Sequence, residues 1–143
     1  MEKLISLHKH WLNADAIGQI VTIKIGGEPR LPDELSALAE HFSSFARLSV
    51  LYGLIYVVIE GYQELKCSNE KVDALLANED FVESLRLFRN AIFHYQKQPI
   101  PEKALTFLEL KGSETWIQEL QSAFKLYFEE LLPIKEILES LKA

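Results

Sequence analysis

The segment "LSVLYGLIYVVI", residues 48–59, is the most apolar run of the chain and decides the expected fold. Arg47 precedes it and Glu60 follows it. A membrane-spanning helix needs about 20 apolar residues, so a run this short is typical of a helix in a protein core. We therefore expect a soluble protein in which this segment is buried and no part lies in a membrane.

Apolar residues at helical spacing continue this run in both directions. Pro32 suits the start of a helix, and Asp33 and Glu34 suit its first turn. The pattern predicts one very long helix, or two helices joined by a kink, that ends near Leu65. The apolar stripe of this helix consists of Leu35, Leu38, Phe42, Phe45, Leu48, Tyr52, Ile55, Ile59 and Tyr62.

Helical periodicity also marks the N-terminus and a segment that precedes two prolines. Residues 2–25 begin as a helix, and their β-branched tail "IVTIKI", 20–25, suits either a helix or a strand. Residues 26–32, "GGEPRLP", are predicted to form a loop. A further helix is predicted over 79–96, because the prolines of "QPIP" stop it.

The C-terminal part contains an unassigned stretch at 102–111 and a final helix over 114–142. Ser113 is the predicted N-cap of that helix, and Pro133 should kink it. These elements predict an all-α protein, a four- to five-helix up-down bundle that forms a single domain over residues 1–143.

The composition excludes several classes of protein. The net charge of −6 argues against a protein that coats nucleic acid electrostatically, although it allows a small local basic site. The lone Cys67 cannot form an internal disulfide, and the N-terminus lacks the long apolar core of a signal peptide. We therefore expect a cytoplasmic protein with Cys67 in a polar loop, without a partner.

The segment "LRLFRNAIFHYQK", residues 85–97, places polar residues in an otherwise apolar helix. At about 100° per residue, one side of this helix is mainly polar and carries Arg86, Asn90, Phe93 and Lys97. The other side is apolar, should face the core and carries Phe81, Leu85, Phe88, Ile92 and Tyr95. A phenylalanine within a polar face is typical of an interface or of the lining of a site.

Arg89 and His94 flank the polar side of this helix. On a regular helix their directions differ by about 140° and their heights by about 7.5 Å. One helix alone therefore points them apart, whereas two copies related by a two-fold axis could bring both pairs into one cleft. Arg86, Arg89 and Lys97 form a basic cluster that is large enough for a few phosphates and too small for an extended groove.

The residues "RNAIFH", 89–94, resemble the R-x-x-x-x-H motif of the HEPN superfamily, in which a polar residue directly follows the arginine. In that superfamily the motif lies on a late helix of a small helical bundle. The resemblance implies a homodimer whose two motifs face each other in an interface cleft. It also implies metal-independent endoribonuclease activity, as in toxin–antitoxin, abortive-infection and CRISPR-associated proteins.

The resemblance also implies a role for each residue of the motif. His94 would be the catalytic acid or base, Arg89 would hold the scissile phosphate, and Asn90 would position them. Arg86 and Lys97 would bind further RNA phosphates. The implied partners are a second copy of the chain, an RNA substrate and a cognate antitoxin protein, and no cofactor or metal is implied.

The sequence departs from one subgroup of these toxins. Some HEPN toxins that are paired with minimal nucleotidyltransferases carry a tyrosine two residues after the histidine, which the partner modifies. Here Tyr95 follows His94 directly and Gln96 holds the second place. The resemblance therefore does not extend to neutralisation by a nucleotidyltransferase.

Structural explanations for the same residues stay open. Arg89 could pair with a nearby glutamate, and His94 could be an ordinary histidine at a helix end. His8 and His10 point in nearly opposite directions on a helix, so we expect them at the surface without a metal role. The alternative function is a non-catalytic helical module that dimerises or binds a protein partner.

Overall fold

The computed structural model describes residues 1–24 and 32–142, except for the side chain of residue 137, and every regular element in these ranges is helical. The helices are α1 (Glu2–Ile20), α2 (Asp33–Glu64), α3 (Glu70–Leu76), α4 (Glu79–Phe93), α5 (Glu102–Glu109), α6 (Ser113–Leu131) and α7 (Ile134–Lys142). The all-α prediction is confirmed. The described ranges hold seven helices instead of four or five, because residues 70–76 form the short helix α3, the unassigned stretch 102–111 forms α5 and Pro133 separates α7 from α6.

Helix α2 is the central element. It is one unbroken helix of 32 residues, about 48 Å long, so the first of the two predicted forms is the right one. Helices α1 and α4 pack on α2, α5 packs on α4, and α3 packs on α6. Within the described ranges α2 is also the one helix long and apolar enough to cross a membrane, but 44% of its most apolar window is buried inside the protein.

The apolar run 48–59 lies in the core, as predicted. The fully buried large side chains of the protein are Tyr62, Phe88, Phe107, Phe124, Phe128, Ile59, Leu85, Ile117, Leu120, Val58 and Val72. Two core aromatics have partners for their polar atoms: the Tyr62 hydroxyl donates to Asp73 Oδ1 at 2.7 Å, and Trp116 Nε1 donates to the Leu75 carbonyl at 2.9 Å. These bonds satisfy groups that would otherwise be buried without a partner.

The N-terminal half of the α2 stripe is not covered by the described residues. Leu35, Leu38 and Phe42 are 51%, 52% and 64% exposed. The predicted apolar stripe is therefore a core face only along the C-terminal half of the helix.

Helix α1 ends at Ile20, and residues 21–24 form a turn and an irregular segment. Neither alternative predicted for 20–25, helix or strand, describes residues 21–24. Arg47 of α2 fixes this end, because its guanidinium donates to the Ile20 carbonyl and, at 2.6 Å, to the Ile23 carbonyl. The rest of the predicted loop, residues 26–31, lies outside the described residues.

Helix α4 begins where predicted and ends three residues early. The Asn78 side chain caps its N-terminus by accepting the Phe81 backbone N–H at 3.3 Å. The helix ends at Phe93, and His94 is extended, with φ −105° and ψ 144°. Residues 94–98 are all exposed, so a further helical turn would bury no side chain and would gain little from packing.

The last two helices correct two further predictions. Leu132 is extended, as expected for a residue before proline, so Pro133 breaks the chain into α6 and α7 instead of kinking one helix. Gly112, with φ 85°, is the N-cap of α6. Ser113 is therefore the first helical residue, and it is buried.

Candidate functional site: arginine, asparagine and histidine at the end of α4

Arg89 is held against α2 by two residues that lie one helical turn apart. Its Nη1 is 3.4 Å from Oε2 of Glu60, and its guanidinium carbon lies 4.9 Å from the centre of the Tyr56 ring. Residues at this spacing share one face of a helix, so Tyr56 and Glu60 form one surface beneath the guanidinium. The cation–π contact and the ion pair together connect α4 to α2.

This placement leaves one donor of Arg89 unsatisfied. The Nε atom is buried and has no hydrogen-bond partner among the described residues. A buried donor without a partner typically costs about 1–3 kcal/mol. The position of Arg89 is thus well packed and incompletely hydrogen-bonded.

Asn90 and His94 lie at the C-terminal end of α4. The His94 backbone N–H donates to the Asn90 carbonyl at 3.2 Å, which closes the last turn of the helix. The Asn90 side chain is half-buried and the His94 side chain is exposed, and within the described ranges neither side chain makes a hydrogen bond or an ion pair. Both are therefore free to contact a ligand or a partner.

The helical geometry predicted for His94 is wrong, because this residue lies beyond the end of α4. The angle and height calculated for Arg89 and His94 assumed one continuous helix. The backbone becomes extended at His94 itself, so the direction calculated for a helical residue does not apply to its imidazole.

Arg86 and Lys97, the predicted phosphate-binding residues, have different surroundings. Arg86 donates two hydrogen bonds to Glu83, of 2.9 and 2.6 Å, and these bonds lower the pKa of the Glu83 carboxyl. Lys97 is exposed and lies outside α4, so it does not share a helix face with Arg86. The structure thus gives no compact basic cluster on α4.

Phe93, within the motif, and Tyr95, just after it, are both exposed, and the predicted core position of Tyr95 is wrong. Phe93, predicted to lie within a polar face, is 46% exposed and packs its ring against the backbone of Gly53 in α2. Tyr95, predicted to face the core, is 92% exposed. Phe93 therefore anchors the end of α4, and Tyr95 projects from the segment beyond it.

The other candidate residues are assigned as follows. No group of His, Cys, Asp and Glu in residues 1–24 and 32–142 could hold a metal ion. His10 is exposed as predicted, but His8 is half-buried, stacks on Trp11 and contacts Phe128, and burial lowers its pKa. Cys67 lies in the predicted loop and is half-buried against the core, and burial together with the nearby Cys67 raises the pKa of the Tyr127 hydroxyl.

Sequence reasoning missed Tyr56 and Glu60 as parts of this site. Tyr56 lies within the apolar run 48–59, which predicts only a core position for it, and Glu60 marks only the end of that run. A usable signal was present, because an aromatic residue and a glutamate four positions apart offer a surface to a cation from a neighbouring helix. What the sequence does not give is the helix that faces them.

On a single chain the motif forms an open surface. Cavities of about 640, 510 and 650 Å³ lie elsewhere: between residues 22–24 and the start of α2, between α3 and α6, and around Pro133. No protein-family model matches the chain, and neither curated proteins nor solved structures gave a significant match. The structure shows that the protein belongs to the all-α class.

Proposed function

We propose that this protein is a HEPN-type, metal-independent endoribonuclease that acts as a homodimer in the cytoplasm. The single observation that carries the proposal is the end of α4, where a guanidinium, an amide and an exposed imidazole come from Arg89, Asn90 and His94. The side chains of Asn90 and His94 make no polar contact to the described residues, so both are available to bind a ligand.

The chemistry of these groups suits cleavage of RNA. An imidazole titrates near neutral pH and can take the proton of the ribose 2′-hydroxyl. The 2′-oxygen then attacks phosphorus, the bond to the 5′-oxygen breaks, and a second imidazole protonates the leaving oxygen. The products are a 2′,3′-cyclic phosphate and a free 5′-hydroxyl.

The roles of the other two residues follow from their chemistry. The planar Arg89 guanidinium can make two parallel hydrogen bonds to the phosphate oxygens and offset their developing charge. The Asn90 amide can orient the phosphate or the imidazole. All charge and proton transfer is then supplied by side chains.

A second copy of the chain supplies the second histidine. The motif lies on an open surface, and the exposed Tyr95 and the half-exposed Phe93 lie directly beside His94. Aromatic residues are enriched in the centres of interfaces. A two-fold dimer formed over this surface would place two arginines and two histidines in one cleft, and in a toxin or anti-phage defence system a cognate antitoxin protein would cover it.

The decisive experiment compares wild type, His94→Ala and Arg89→Lys on RNA with EDTA present. Loss of a general acid or base lowers the rate by roughly 10²–10⁴. Arg89→Lys should also reduce the rate, because an ammonium lacks the planar pair of donors. His10→Ala, which changes an exposed histidine of α1, is the matched control and should cut like wild type.

Either of two results would end the ribonuclease proposal. One is a wild-type protein that leaves RNA intact, and the other is a His94→Ala variant that cuts equally well. Inhibition by EDTA would show that the mechanism requires a metal.

The second candidate is a non-catalytic helical module that dimerises or binds a protein. The specific observation in its favour is that Arg89 already has structural partners, Glu60 and Tyr56, which explain its presence without RNA. In that case Arg89→Lys should weaken the packing of α4 on α2, and neither wild type nor any of the variants should cleave RNA.

A further inference from the structure

Glu60 competes for the same groups of Arg89 that a phosphate would need. Its Oε2 lies 3.4 Å from Arg89 Nη1, which is long for a hydrogen bond, and the Glu60 side chain is 51% exposed. An ion pair of this length with one well-solvated partner is weak. A phosphate diester, which carries a full charge and two accepting oxygens, can therefore displace this carboxylate.

The remaining contacts of Arg89 indicate a guanidinium that can change partners. The Tyr56 ring, 4.9 Å from the guanidinium carbon, supports one side of the guanidinium, and 24% of the Arg89 side chain is exposed. The buried Nε–H has no acceptor in the present position. Moving the guanidinium outward would give this donor access to water or to a ligand, so release from Glu60 does not break a complete hydrogen-bond set.

We propose that Glu60 gates the anion site: it holds Arg89 in the free protein and gives it up to an RNA phosphodiester. Tyr56 acts as the support over which the guanidinium moves. Glu60 is then a positioning residue that sets how readily the site accepts an anion. This inference rests on the proposed function for the identity of the anion.

The test uses a charge-matched pair of variants on α2. Glu60→Gln removes the competing charge and keeps the side-chain shape, whereas Glu64→Gln removes the same charge from an exposed position one helical turn further on. The probe is a short 2′-O-methyl RNA, which keeps its phosphates but lacks the 2′-hydroxyl that would attack them. Its affinity is measured by titration for wild type and for both variants.

Glu60→Gln should bind this probe more tightly than Glu64→Gln, by up to about fivefold, the free-energy range of a partly exposed ion pair. Adding Arg89→Lys to Glu60→Gln should remove the gain. NMR on the RNA-free proteins measures how fast the Arg89 Nε–H exchanges with water. This exchange should be faster in Glu60→Gln than in wild type. Glu60→Ala should repeat both results.

The gate is wrong if Glu60→Gln and Glu64→Gln bind the probe with equal affinity. It is also wrong if the double variant with Arg89→Lys keeps the gain in probe affinity of Glu60→Gln. Failure of the gate and failure of the ribonuclease proposal are distinguishable. If wild type does not cut RNA but the Arg89-dependent gain is measured, the gate stands on a site that binds anions without cleaving them. If wild type cuts RNA and Glu60→Gln behaves as Glu64→Gln, the gate falls and the ribonuclease stands.

Discussion

At Gly53 a hydrogen atom takes the place of a side chain, and the ring of Phe93 fills the space. A Cβ atom at this position would overlap the ring, and Gly53 is itself buried in the middle of α2. The close approach therefore fixes where the last residue of α4 meets α2. Because His94 follows Phe93 directly, this contact also fixes where the exposed segment begins.

We expect Gly53→Ala to destabilise the protein by about 1–3 kcal/mol, since overpacking forces the ring or the helix to move. Denaturant unfolding measures this change. The matched control is Gly18→Ala in α1, where the nearest atom is the end of the flexible Gln121 side chain at 3.2 Å. That change should be neutral or stabilising, because alanine favours helix over glycine. Equal effects of the two variants would show that Phe93 does not limit the space at Gly53.

His8 gives the stability a dependence on pH. Its ring is half-buried, with centroids 5.9 Å from Trp11 and 5.0 Å from Phe128, and burial lowers its pKa from the ordinary value of 6.5. The unfolded chain therefore binds a proton at a higher pH than the folded protein. Stability is full above about pH 6.5 and falls as the pH drops through the lowered value.

Thermal unfolding of wild type and His8→Gln between pH 5 and pH 8 checks this expectation. Wild type should lose more stability on acidification than the variant, which has no group to protonate at this position. His10→Gln, which removes an exposed histidine, should follow wild type. A pH profile that His8→Gln leaves unchanged would assign the dependence to other groups.

At the scale of helices, Arg47 joins two elements that are distant in the sequence. Its guanidinium donates to carbonyls at the end of α1 and pairs with Glu40 at 3.3 Å, and its side chain is only 11% exposed. Cations near a helix C-terminus are favoured by the exposed carbonyls there. One α2 side chain thus holds the end of α1.

Arg47→Ala should destabilise the protein by about 1–3 kcal/mol, because the carbonyls at the end of α1 lose a charged donor, and hydrogen bonds to charged groups are among the stronger ones. Hydrogen exchange should locate the effect in the last turn of α1. Arg47→Lys keeps the charge and should recover part of the loss. If exchange in that turn is the same in wild type and Arg47→Ala, the residue does not hold the end of α1.

The sequence predicts helices better than it predicts their ends. The stripe from Leu35 to Tyr62 gives α2 as a helix because its period repeats over many turns. The end of α4 is different, because it depends on Phe93 meeting Gly53, a contact between distant parts of the chain. Pro133 was recognised correctly as a disruption, but whether a helix bends or breaks there depends on what its flanking turns can pack against.

At the scale of the whole molecule, the proposed site requires a second copy of the chain. Tyr95 is 92% exposed, so a dimer over the end of α4 would bury it without disturbing the fold. We expect a dimer in light scattering at micromolar concentration. Tyr95→Glu should shift it toward monomer and leave the melting temperature of the monomer unchanged.

Leu126→Glu is the matched control for Tyr95→Glu, since Leu126 is also an exposed apolar residue but lies on α6. It should leave the dimer intact. A wild-type monomer would contradict the proposed dimer. A dimer sensitive to Leu126→Glu and not to Tyr95→Glu would place the interface elsewhere.

The candidate site was predictable in its residue types and not in its surroundings. Arg89, Asn90 and His94 are visible as a motif, since their spacing is local. Tyr56 and Glu60 reach Arg89 only through the packing of α4 on α2, which is a property of the folded chain. The same packing explains why Tyr95, assigned to the core by periodicity, lies in solvent once the helix has ended.

Gly53 lies far from the Arg89–His94 motif in the sequence, yet it determines how closely the end of α4 approaches α2. A homologous chain could keep the arginine, the asparagine and the histidine and still carry a larger residue at this position. We expect α4 in such a chain to stand away from α2 or to end elsewhere, which would displace the histidine relative to the arginine. In a family with the proposed activity, a glycine facing the last turn of the motif helix would then separate active from silent members, even where the motif itself is intact.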